Sequence, residues 1–163
     1  MLGWVLSACG GQSKPPEPAS DGRVDPISGA AVVHAFGRSH VVERAAGYCA
    51  SLAPELAEPM RLASAAWQRR NGSLVRAAGK MQAHTRTQRL AQGEPGRKRW
   101  AEDERVMALM ARGIDTMFAK PVGSVDAAQI QQCRNLIGQI DQGVYDIGKG
   151  DSDVLNALRK FQD

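Results

Sequence analysis

The stretch Ile130-Gln131-Gln132-Cys133-Arg134-Asn135-Leu136-Ile137-Gly138-Gln139-Ile140-Asp141-Gln142-Gly143-Val144-Tyr145-Asp146-Ile147 decides the fold. Ile130, Cys133, Ile137, Ile140, Val144 and Ile147 recur at i, i+3, i+7, i+10, i+14 and i+17. That spacing puts one apolar stripe along a helix and makes this the cleanest amphipathic pattern in the chain. Ser124 is suited to cap the start of this helix, and Gly148 and Gly150 to stop it.

The same period governs the rest of the chain from Ile27 onward. Val42, Ala45, Cys49 and Leu52 form one stripe, widened by Val41 and Tyr48. Pro54 punctuates, and Glu55 suits a first helical turn. Leu56, Met60, Ala63 and Trp67 form the next stripe, which Leu74, Ala78 and Met81 can continue. Asn71-Gly72 either breaks this helix in two or kinks it. Trp67 continues the stripe and so reads as a core residue, although a Trp one turn ahead of Arg70 and Asn71 could instead be a binding hot spot.

Gly93-Glu94-Pro95-Gly96 reads as a turn. Trp100, Asp103, Met107, Met110, Ile114 and Met117 then follow helical spacing, apolar apart from Asp103, and Pro121 and Gly123 end that helix. Asp151 or Ser152 caps a last short helix with Val154, Leu158 and Phe161 inward. No segment alternates as a strand does. The fold expected is an all-α bundle of four to five principal helices with short connections. Aromatic residues are 5% of the chain, so Ala, Leu, Val, Ile and Met must fill the core by close helix approach. Gly113, Gly138 and Gly143 lie within helical patterns and read as such close contacts, as do Gly72 and Gly79 near the possible kink.

Leu6-Ser7-Ala8-Cys9, followed by Gly10-Gly11, resembles the bacterial lipobox, in which the cysteine is acylated and becomes the mature N-terminus. The resemblance implies that residues 1–8 are the end of a truncated signal peptide and that Cys9 is the lipidation site. Residues 9–26 are rich in Pro, Gly, Ser and charge and read as a flexible tether. Residues 27–163 are the helical domain. By the same resemblance, Gly10 favours the outer membrane, giving a lipid-anchored location on the periplasmic face of the envelope. With Cys9 acylated, Cys49 and Cys133 remain as an even pair on apolar stripes, read as a disulfide in an exported protein. The alternative is two reduced cysteines in a cytosolic core.

Tyr48-Cys49, Pro54-Glu55-Leu56 and Trp67-Gln68-Arg69-Arg70-Asn71 ahead of a distant Cys133 resemble a loose group of small exported helical proteins of proteobacteria. The resemblance covers roughly residues 39–147. It implies export, helices and a disulfide, and it names no substrate.

Little chemistry is legible. His34, His40 and His84 have no partners at metal-ligand spacing, and no G-x-S-x-G or phosphate-binding loop occurs. No cofactor, metal or catalytic residue is expected. The charge is segregated. Nine basic residues and one acidic between Arg69 and Arg99 give a net of +8, while four basic and six acidic between Ser124 and Asp163 give −2. Arg69, Arg70, Arg76, Lys80, Arg86 and Arg89 are the candidate partner-binding residues. The expected role is a non-catalytic protein-binding module, an envelope-machine accessory factor or a toxin inhibitor, with another periplasmic or envelope protein as partner. The alternative is a cytosolic basic helical protein that binds nucleic acid, which no recognised nucleic-acid motif accompanies.

Overall fold

Among the described residues five α-helices follow one another: α1 Pro26–Leu52, α2 Ala57–Ala91, α3 Glu94–Met117, α4 Ala127–Asp141 and α5 Ser152–Arg159. The computed structural model describes residues 26–119 and 124–162. Cys9, the signal residues, the tether up to residue 25, Pro121 and Gly123 lie outside the described residues. Pro26, assigned from sequence to the tether, is the first residue of α1.

The α1–α2 hairpin is the scaffold. Pro54–Leu56 forms a single 3-10 turn between the two helices, and Pro59 sits in the first turn of α2, where its missing donor is tolerated. The expected stripe of α2 is its buried face: Met60, Ala63, Trp67, Leu74, Ala78 and Met81 are all buried. Against it, α1 presents Ala31, Ala35, Val42, Ala45 and Cys49. Small side chains at these positions bring the two helices close, as the scarcity of aromatic residues requires. The helix does not break at Asn71-Gly72, and α2 runs unbroken for 35 residues.

α3 packs on the same hairpin, parallel to α1 and antiparallel to α2. His40 and Arg44 of α1 meet Asp115 at 2.9 and 2.7 Å, and Tyr48 meets Phe118 edge-on. The sequence reads a turn over Gly93 to Gly96, yet the helix already starts at Glu94 and only Gly93 is turned, with φ +71°. Gly96 is there for close approach: a Cβ on it would collide with the Arg89 carbonyl oxygen. That contact lets a two-residue link reverse the chain.

α4 runs antiparallel to α1. Its cap is Asp126 and not Ser124: the Asp126 carboxylate accepts from Gln129 N at 2.8 Å, and Gln129 Oε1 accepts from Asp126 N at 3.0 Å. This reciprocal pair satisfies two amide donors, which a lone serine two residues earlier would not do. The Ile130–Ile147 stripe is not one helix. α4 ends at Asp141, and Gly143 adopts φ +72°, which favours glycine. Val144 is consequently 47% exposed, while Ile147 is fully buried from a 3-10 turn, Ile147–Lys149. Gly143 therefore terminates a helix. Gly79, Gly113 and Gly138 have open space where a Cβ would stand, so none is a close helix contact. Asp151 caps α5 by accepting from Asp153 N, and Leu158 is fully buried with Val154 and Phe161 packed beside it.

Cys49 of α1 and Cys133 of α4 are joined in a disulfide, with Cα atoms 5.6 Å apart and both residues buried. The bridge closes a loop with a sequence separation of 84. By the chain-entropy argument, a loop of that size limits the unfolded state by roughly 4 kcal/mol. Replacing both cysteines by alanine is expected to lower the unfolding free energy by about 2–4 kcal/mol, with far-UV helicity retained. Equilibrium denaturation of the two proteins checks this.

Candidate functional site

The segment Trp67-Gln68-Arg69-Arg70-Asn71 forms a clamp on the chain that leaves α4. Trp67 is fully buried, and its Nε1 donates to Tyr145 O at 3.0 Å. Arg70 Nη2 donates to Ile140 O at 2.7 Å, capping the end of α4, and its Nε donates to Asp146 Oδ2 at 2.9 Å. Asn71 is 1% exposed. Its Nδ2 donates to Asp146 Oδ1 at 2.8 Å and to Trp67 O at 3.0 Å, and its Oδ1 accepts from Ile147 N at 2.8 Å. From α1, Arg38 donates to Val144 O at 3.0 Å and lies over the Tyr145 ring. Val144, Tyr145 and Ile147 are thus held by their backbone and Asp146 by its carboxylate, which explains how a link that leaves the α-helix stays packed on the core.

Burial pushes the Asp146 carboxyl upward. The hydrogen bonds from Arg70 and Asn71, with the positive charges of Arg70 and Lys149, outweigh it and hold the carboxyl below its ordinary value. Trp67, Arg70, Asn71 and Asp146 are matched to one another, with the Arg70 side chain still 35% exposed at the rim. The motif is an internal fastening, as the core reading of Trp67 requires.

The six basic residues do not share one face. Arg69, Arg76 and Lys80, at i, i+7 and i+11, fall within about 40° of one another around α2 and span about 17 Å along it. All three are exposed. Arg70 lies about 100° away and is bound in the clamp, and Arg86 lies about 100° away on the other side. Arg89 turns inward, with its side chain 14% exposed and its Nε 3.6 Å from Asp103 Oδ2.

Arg89 and Asp103 stand at a cleft where the start of α1 meets the end of α2 and the start of α3. The cleft has a volume of about 340 Å³ and is walled by Val32, Val33, Trp100, Val106 and Met107. The sequence held one sign of it, the carboxylate of Asp103 interrupting an otherwise apolar stripe. No group of three or more His, Cys, Asp or Glu side chains is placed to hold a metal among the described residues. His40 is hydrogen-bonded to Asp115, and His84 packs against Phe161. Comparison with protein-family models, with curated proteins and with solved structures finds no match for this chain. Its surfaces are therefore read from their own chemistry.

Asn71→Ala would leave the Ile147 amide without its acceptor and Asp146 with Arg70 alone. It is expected to cost about 1–3 kcal/mol, measured by denaturant titration. The lowered Asp146 pKa sets the sign of a pH effect: its contribution is complete above the ordinary carboxylate value of 3.8 and is lost as pH falls through the lower folded value. Asp146→Asn is accordingly expected to be less stable than wild type at neutral pH and to lose less stability on acidification.

Proposed function

We propose that this chain is a lipid-anchored, non-catalytic protein-binding module of the bacterial envelope, facing the periplasm and held at the outer membrane through Cys9. The observation that carries the reading is the Cys49–Cys133 disulfide in the core. Structural disulfides persist in oxidising compartments and are rare in the bacterial cytosol. The lipobox resemblance of Leu6-Ser7-Ala8-Cys9 supplies the anchor, and the residues after it are long enough to hold a folded domain away from the bilayer.

The binding role rests on α2. Arg69, Arg76 and Lys80 form a stripe of exposed cations with regular spacing on a long, rigid helix, suited to an acidic surface of another envelope protein. Arg70, which the sequence groups with them, lies in the clamp, and Arg89 lies in the cleft. A module of this shape fits an accessory factor of an envelope machine or an inhibitor that sits on a toxin.

The intact mass of the protein taken from its native envelope tests the location. A chain beginning at Cys9 with two or three acyl groups supports it, and an unmodified chain retaining Met1 overturns it. For the surface, Arg69→Glu and Arg76→Glu combined are expected to abolish capture of the envelope partners that wild type recovers, with thermal stability unchanged. An unchanged set of partners contradicts the stripe. Binding to random-sequence duplex DNA that weakens steeply with salt would favour the nucleic-acid reading in its place.

A further inference from the structure

The cleft between α1, α2 and α3 combines two features that arise independently. Its walls are mostly apolar, from Val32 and Val33 on one side and Trp100, Val106 and Met107 on the other, with Ser28, Gln82 and Thr85 as polar points besides Arg89 and Asp103. Its volume of about 340 Å³ falls at the lower end of small-molecule sites, roughly 300–1,000 Å³. Into this apolar space α2 brings a guanidinium. The Arg89 side chain is mostly buried, and its Nε has no hydrogen-bond partner. Asp103 neutralises it at 3.6 Å, which is beyond hydrogen-bond length.

We propose that this cleft binds a small amphiphile, an apolar chain ending in a carboxylate, of the medium-chain fatty-acid class. An inward donor left without an acceptor is unfavourable, and a ligand that supplies one gains from it. The planar fork of arginine matches a carboxylate with two parallel hydrogen bonds. The side chain of Asp103 is 45% exposed, so it can turn to water while the ligand head takes its place beside Arg89. The chain then lies along the valines and Met107, against the Trp100 ring. A cationic head would be repelled by Arg89, and a neutral hydroxyl would answer the fork only in part. The site is separate from the Arg69–Lys80 stripe and does not depend on the anchor.

The test is calorimetric titration of the full chain with decanoate below its micelle concentration, with tryptophan emission followed in parallel. One decanoate is expected to bind per chain and to alter the emission. Decanol is expected to bind more weakly, and decyltrimethylammonium not at all. Arg89→Gln should raise the Kd about tenfold or more, the effect of losing one charge-assisted hydrogen bond. Val106→Trp, at a half-exposed wall position, should fill the cleft and abolish binding with helicity intact. If Arg89→Gln fails to fold, Val106→Trp carries the comparison. Absence of saturable decanoate binding, equal binding of all three probes, or unchanged affinity in Val106→Trp would overturn the proposal.

Discussion

The buried carboxamide of Asn71 is the constraint on which the architecture turns. It is the one polar side chain in a core otherwise made of apolar groups among the described residues, and three hydrogen bonds answer it. Two of these reach the link between α4 and α5, and through that link they fix where the last third of the chain lies against α2. Burying an amide is unfavourable unless its partners are present, so no shifted register of the link can keep Asn71 satisfied. The Trp67 indole and the Arg70 guanidinium add to the same link from neighbouring positions on α2. Farther along α4 the disulfide makes a second tie, to α1. α4 is thereby fixed to both helices of the hairpin, covalently to one and by a polar network to the other.

Helices and buried faces were readable from the sequence because burial along a helix is a local, periodic property. Leu56 to Met81 reads as one stripe and packs as one. The reading fails where the backbone leaves the helix while the apolar period continues. Val144 and Ile147 keep the spacing, but a left-handed glycine between Ile140 and Val144 turns the chain, so one residue faces water and the other enters the core from a 3-10 turn. Nothing in the local sequence separates a glycine that stops a helix from one that merely sits in it. Asn71-Gly72 shows the converse. Its residues are turn formers, yet Asn71 stays helical because its side chain has partners about 75 residues away, a distance at which no periodicity speaks.

The site was legible only in part, for a similar reason. A charge run identifies a basic helix, but the helical turn distributes its members. Arg69, Arg76 and Lys80 remain together, Arg70 joins the clamp, and Arg89 becomes the polar point of an apolar cleft. The cleft depends on three helices meeting, so its walls come from separate stretches of chain, and the sequence showed only a carboxylate, Asp103, on an otherwise apolar stripe. The Arg69–Lys80 stripe and the Arg89 cleft lie on different parts of α2, one exposed and one inward.

The most direct measurement is native-state hydrogen exchange of the Ile147 amide, which donates to the Asn71 side chain. If the clamp fixes the α4–α5 link as argued, this amide exchanges as slowly as the core amides of α2, through global unfolding alone. Exchange as fast as that of the exposed Gly148 beside it would mean that the link opens locally, and that Asn71 does not hold the fold together.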